Sequence, residues 1–151
     1  MKWVTLFCDG SSLGNPGDGG WCGILRYKDK EKIISGGESN ATNNQMELKA
    51  LINSLKALKE PCYVKVVSDS TYVLDGLSKW LPNWIKKDFK NVKNPDLWRE
   101  FIEVSKPHKI EIMWVKGHSG HIENEKCDKI AKQEAQKIKN ARMGYGTTKE
   151  V

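Results

Sequence analysis

No stretch of this chain approaches the ~20 consecutive apolar residues that a membrane-spanning helix requires, so a soluble protein is expected. Cysteine is sparse: Cys8, Cys22, Cys62 and Cys127 form no C-x-x-C pair, and no histidine stands at zinc-ligand spacing, which argues against a structural zinc site. The apolar run from Met1 to Phe7 is too short for a secretory leader and is ended by Asp9. Reduced, mostly buried thiols in a cytoplasmic protein are therefore expected. No phosphate-cradling G-x-x-x-x-G-K-[ST] loop occurs. Acid is in deficit too, with 19 Asp and Glu against 25 Lys and Arg, a net charge of +6. That balance points to an anionic partner such as nucleic acid, with a merely basic surface as the alternative.

With 151 residues and no internal repeat, one compact domain is expected over 1–143, followed by a flexible tail over 144–151. Trp3 to Cys8 is a run of strand formers, and the glycine-rich segment from Gly10 to Gly20 reads as loop. Trp21–Tyr27 and Lys32–Gly36 read as two further strands, joined closely enough for an antiparallel hairpin. From Asn44 the period changes: Leu48, Leu51, Ile52, Leu55 and Leu58 recur at helical spacing until Pro61. Tyr63–Ser68 is a fourth strand and Ser70–Trp80 a second helix. Pro82 marks a break before a short helix over Trp84–Lys87. Pro95–Ser105 is a helix with proline in its first turn, Lys109–Val115 a fifth strand and Ile122–Ala141 a final helix. Strand–helix–strand connections favour parallel neighbours, so strands one, four and five are expected to lie parallel in a mixed five-stranded α/β sheet flanked by helices.

Asp9 and Asp69 follow strands one and four, where parallel sheets open their ligand crevice. Each alone could be a turn or helix cap. Glu47 stands in the first turn of the long helix, where the helix dipole favours any carboxylate. Asp128 lies on the last helix and alone could be a surface ion pair. Together the four suit Mg²⁺, which takes hard oxygen ligands, and a two-metal site that activates water and stabilises the leaving oxygen without a protein nucleophile.

Five segments carry a more specific signal: Asp9-Gly-Ser-Ser-Leu-Gly-Asn-Pro-Gly17, Thr42-Asn-Asn-Gln-Met-Glu47, Ser68-Asp-Ser-Thr-Tyr-Val73, Trp114-Val-Lys-Gly-His-Ser-Gly-His121 and Asn124-Glu-Lys-Cys-Asp128. In order, over about Lys2 to Ala135, they closely resemble ribonuclease H of the bacterial type one family. The resemblance implies a ribonuclease H-like fold, with helices on both faces of the sheet. It implies endonucleolytic cleavage of the RNA strand of RNA:DNA hybrids, leaving 5′-phosphate and 3′-hydroxyl ends. It carries metal ligation onto Asp9, Glu47, Asp69 and Asp128, with two Mg²⁺ ions and Mn²⁺ as a substitute. His118 matches the family histidine on the loop before the last helix, thought to assist proton transfer or product departure. A loop histidine near its ordinary pKa can exchange protons at neutral pH; His121 is the neighbour that could be mistaken for it.

An enzyme specific for hybrids has to read the 2′-hydroxyl across a shallow minor groove. By resemblance Asn15, Asn43 and Asn44 would do so with help from Thr71, where the family commonly has a longer polar side chain. Thr42 would belong to a phosphate pocket for the DNA strand. The asparagines are equally ordinary turn residues. Residues 79–93 carry five lysines against Asp88, a local net charge of +4, with Trp80, Trp84 and Phe89 interleaved. Lys86, Lys87 and Trp80 would contact the duplex, although the tryptophans could as well enter the core. The segment resembles the family's basic protrusion, with a short connection from Phe89 to Trp98. Another nuclease on the same fold, a junction resolvase or transposase core, is the rival reading; a non-catalytic hybrid-binding module is the other. A free-standing monomer with no obligatory protein partner is expected.

Overall fold

A computed structural model of the chain describes residues 1–115 and 122–144. Five strands, β1 (Lys2–Ser12), β2 (Gly17–Tyr27), β3 (Lys30–Ala41), β4 (Cys62–Ser68) and β5 (Lys109–Trp114), form one sheet in the order β3-β2-β1-β4-β5. The first three run antiparallel, and β4 and β5 add parallel to β1. The expected mixed sheet is the one found.

Alternation along β1 sends Val4, Leu6 and Cys8 into one core cluster and Phe7 into a second on the opposite face. The first cluster is covered by α1 (Asn43–Lys56), whose Leu48, Leu51, Ile52 and Leu55 are buried, and by α4 (Pro95–Ser105), which contributes Trp98 and Phe101. The second is covered by α5 (Ile122–Arg142), which buries Cys127, Ala131 and Ala135 one turn apart and packs on β1, β2 and β3. Helices thus lie on both faces.

The glycine-rich segment departs from expectation. Only residues 13–16 connect the strands; Gly10–Ser12 and Gly17–Gly20 belong to β1 and β2, which pair with each other here. Glycine at these positions serves close packing rather than a turn. A Cβ on Gly20 would come within 2.6 Å of Ala135 N, and one on Gly10 within 2.7 Å of Met46 Cβ, so the bare positions let α5 and α1 lie directly on the sheet. For the same reason Asp9 stands inside β1 rather than at its end.

Pro82 is also not a break. It occupies the first turn of α3 (Leu81–Lys86), where its missing N–H costs nothing. The helix expected over Ser70–Trp80 is split into α2 (Thr71–Asp75) and a π-helical turn (Gly76–Trp80). Gly76 lies against the Trp98 ring, with no room for a side chain between them. No described helix is long and apolar enough to cross a membrane.

Candidate active site

Strand β1 outruns its parallel neighbour. Its pairing with β4 stops at Phe7–Val67, while its pairing with β2 continues to Ser12–Gly19. A notch is left beside residues 8–12 of β1, beyond the carboxyl end of β4. Asp9 is buried there on the α5 side of the sheet. Glu47, in the first turn and a half of α1, enters from the opposite face through the space that Gly10 leaves bare. The Gly10 N–H donates to Glu47 Oε1 at 2.5 Å and to Asp9 Oδ1 at 2.9 Å. Asp69 follows the last residue of β4. It is released from capping because the cap of α2 is Ser70, whose Oγ accepts from Val73 N at 3.2 Å. Oxygens of Asp9, Glu47 and Asp69 lie within 4.8 Å of one another.

Crowding three carboxylates in a buried notch has an electrostatic cost. Burial pushes the Asp9 carboxyl up to about 6, assisted by the charges of Asp69 and Asp128, while hydrogen bonds from Glu47 and Gly10 oppose the rise. Glu47 is pushed further above the usual carboxylate range, by burial first and then by its hydrogen bond and charge interaction with Asp9. Glu47 therefore keeps its proton longer and donates it to Asp9. Cys8 beneath the cluster is raised by burial and by the same two acids, which makes it an inert thiol.

Asp128 stands apart from the compact trio. Its Oδ2 lies 3.0 Å from Lys132 Nζ one turn along α5, the surface ion pair that its sequence position allows, yet it is near enough to raise Asp9. One turn before it, Asn124 Nδ2 donates to Val67 O at 3.3 Å and ties the start of α5 to β4. His118 and His121, expected on the loop before α5, lie outside the described residues.

Of the polar residues expected to meet substrate, Thr42, Asn43 and Asn44 stand at the start of α1, which also carries Glu47, and Thr71 opens α2 two residues past Asp69. Thr42 caps α1 in a reciprocal box with Gln45: Thr42 Oγ1 accepts from Gln45 N at 3.1 Å, and Gln45 Oε1 accepts from Thr42 N at 3.0 Å. Asn43 Oδ1 accepts from Ser12 N at 2.7 Å, and Asn15 Oδ1 accepts from Asn43 N at 3.2 Å. With their carbonyls engaged inside the protein, both exposed amides keep their NH₂ donors for other partners. Asn44 and Thr71 are exposed. The basic segment rests on an aromatic ladder: buried Trp98 meets Trp84 edge-on at 5.2 Å, and Trp84 meets Trp80 at 5.6 Å. Phe89 is core, Trp84 half-buried and Trp80 exposed, so core and surface roles divide along the segment. Lys86 and Lys87 are exposed.

Sequence reasoning missed the group that joins these parts. Tyr72 Oη accepts from Trp98 Nε1 at 2.9 Å and from Asn94 Nδ2 at 3.1 Å, and Asn94 Oδ1 accepts from Gln45 Nε2 at 3.2 Å. The Thr42-x-x-Gln45 capping box was readable as a signal; the link to Asn94, 49 residues away, was not.

Comparison with known proteins gives a consistent result. A family model described as RNase H matches residues 1–136. A protein named Ribonuclease H from Campylobacter concisus is 62% identical over 140 residues, covering 93% of this chain and 97% of its own. One named Ribonuclease HI from Helicobacter pylori is 62% identical over 137 residues, covering 91% and 96%. Among solved structures, LC9-RNase H1, a type 1 RNase H, superposes with a TM-score of 0.83 at 26% identity, over 90% of this chain and 73% of that one.

Proposed function

The chain belongs to the RNase H family, and from that premise we propose that its carboxylate notch is where it hydrolyses the RNA strand of RNA:DNA hybrids, endonucleolytically and with divalent cations. The observation that carries the site assignment is the convergence of Asp9, Glu47 and Asp69 from three separate parts of the fold, with oxygens within 4.8 Å. The donor set fits a hard cation: all donors are carboxylate oxygens, and their mutual repulsion is relieved by positive charge. Asp9, Glu47, Asp69 and Asp128 would hold the metal, Mg²⁺ by the hardness of the donors and Mn²⁺ as a substitute. When bound, two such ions lower the pKa of an attacking water and neutralise charge on the departing oxygen.

The chain's own residues do the rest. The Gly10 N–H fixes the Glu47 and Asp9 carboxylates relative to each other. Asn15, Asn43 and Asn44 offer amide donors to 2′-hydroxyls and base edges in the minor groove, and Thr71 at the start of α2 assists with a short side chain. Thr42 receives a phosphate of the DNA strand, and Lys86, Lys87 and Trp80 hold the backbone of the duplex. His118 takes up or returns a proton near neutral pH. Attack at phosphorus with departure of the ribose 3′ oxygen leaves a 5′-phosphate and a 3′-hydroxyl. We further read residues 1–143 as the whole working domain, acting as a monomer. The four free, buried cysteines support a reducing, cytoplasmic setting.

Cleavage of matched hybrid, double-stranded RNA and double-stranded DNA tests this directly. Only the RNA of the hybrid is expected to be cut, and Asp9→Asn is expected to abolish Mg²⁺-dependent turnover while the protein stays folded. Equal cutting of DNA would refute the hybrid assignment, and an active Asp9→Asn enzyme would refute the site.

A further inference from the structure

Helix α5 covers only part of its face of the sheet, packing on β1, β2 and β3. Val67 and Val115 are buried near its start. Toward the amino ends of β1, β4 and β5 the same face carries Trp3, Tyr63, Lys65, Lys109 and Glu111, and among the described residues no helix packs over them. Trp3 and Tyr63 are cross-strand neighbours and stack at 4.4 Å with an interplanar angle of 15°. Tyr63 in turn faces Lys109, whose Nζ sits 6.0 Å from the Tyr63 ring. Trp3 nevertheless remains 64% exposed.

An indole left this exposed on a sheet, already aligned by one stacking partner and flanked by cations, is neither core nor a typical surface position. Its chemistry is that of a base-stacking platform. A nucleobase can extend the Trp3–Tyr63 stack, while Lys65 and Lys109 neutralise the phosphates on either side. Glu111, opposite Lys65 in the register, is the one acid of the group. A duplex keeps its bases paired and inaccessible, so the platform discriminates for unpaired strands. We propose that this face binds single-stranded nucleic acid, separately from the hybrid. Along β1 it lies about 20 Å from Asp9, six strand residues away, on the same side of the sheet. It is therefore placed to hold an unpaired flank of a hybrid, whether RNA or DNA, while the notch acts on the paired part.

The test is fluorescence anisotropy of labelled single strands of about 15 nucleotides, oligo(dT) and oligo(rU), titrated with full-length protein in EDTA so that no cleavage occurs. Trp3→Ala is expected to weaken binding about tenfold, the scale of one lost base–aromatic stack. Trp3→Phe, which keeps a ring, is expected to restore most of it, and Lys109→Gln to weaken binding and flatten its salt dependence. Cleavage of a blunt hybrid by Trp3→Ala should be unchanged, so the platform can fail while the assignment of the notch stands. Preference for oligo(rU) would identify the RNA flank as the occupant, preference for oligo(dT) the DNA flank, and equal binding a backbone-tolerant site. Single-strand affinity that is unaffected by Trp3→Ala, or that depends only on Lys86 and Lys87, would overturn the proposal. Retention of an unrelated protein by this face with no affinity for either strand would overturn it equally.

Discussion

A single methyl group added at Gly10 should disable the enzyme more than it destabilises it. The new Cβ would stand 2.7 Å from Met46 Cβ and closer still to the backbone of Met46 and Glu47. Carbon atoms in contact settle at about 3.5 Å, so α1 must retreat from β1 by roughly 1 Å at this point. Overpacking of this kind costs about 1–3 kcal/mol, which for a chain of this size lowers Tm by about 2–4 °C per kcal/mol. Glu47 is carried away with α1, and a 1 Å misplacement in a catalytic arrangement can cost about 10²-fold. The assay pairs urea denaturation with steady-state cleavage of a fluorogenic hybrid at saturating Mg²⁺, comparing Gly10→Ala with Gly23→Ala. Gly23 faces the hydroxyl end of Ser54 on the same helix, two turns beyond Glu47, and its substitution should reduce stability with little loss of kcat. Gly10→Ala with the stability loss but a wild-type kcat would refute the claim that this bare strand position sets the place of Glu47.

Three further outcomes follow from the electrostatics and the basic segment. In EDTA the folded state holds protons on Asp9 and Glu47 that the unfolded chain releases, so stability should fall as pH rises from the ordinary carboxyl range, with the Asp9 part of the loss running from 3.8 to about 6. Asp9→Asn should reduce that slope in urea melts and leave the part due to Glu47, and an unchanged slope would show that Asp9 holds no proton there. Asp18 behaves in the opposite sense: Arg142, donating to it at 3.1 and 2.5 Å, holds its carboxyl below the usual range. The stability it contributes is present above pH 3.8 and lost as pH falls through its lowered value, and melts of Arg142→Ala should lack this loss. Lys86→Gln and Lys87→Gln should each raise KM for hybrid without lowering kcat, and should flatten the slope of log affinity against log salt by about 0.9 for each phosphate left unneutralised. A fall in kcat with unchanged KM would contradict a backbone-holding role.

The periodic parts of this fold were legible. The amphipathic spacing of α1, the Pro95 start of α4, the apolar run of β4 and the alternation of β5 each match the elements found, because such periodicity is written directly into residue order. The glycines from 10 to 20 were not legible as strand. Glycine is read locally as a turn former, and what overrides that reading is a helix from far along the chain, α1 against Gly10 and α5 against Gly20. The Pro82 start and the π-helical turn failed for a related reason: the close approach of Gly76 to Trp98 that shapes this region joins residues with no local signature. At the site the four acids could be named, but which of them converge could not. Asp69 has the sequence position of a cap, and only the fold shows Ser70 filling that role; the link from Gln45 through Asn94 to Tyr72 likewise requires the folded chain.

The acids come from positions 9, 47, 69 and 128, on β1, on α1, just past β4 and on α5. No single element carries two of them, so on the proposed ligand set no partly formed domain presents a complete site. A chain emerging from the ribosome would carry no hydrolytic capacity until α5, its last described helix, had docked, and cleavage competence would arrive only with complete folding. With the four acids as the proposed ligands, a bound cation would sense integrity: it would reward only the fully assembled state, so stability should rise with metal concentration by mass action. Partial opening that frees either helix would release the ion and silence the nuclease before the sheet itself unravels.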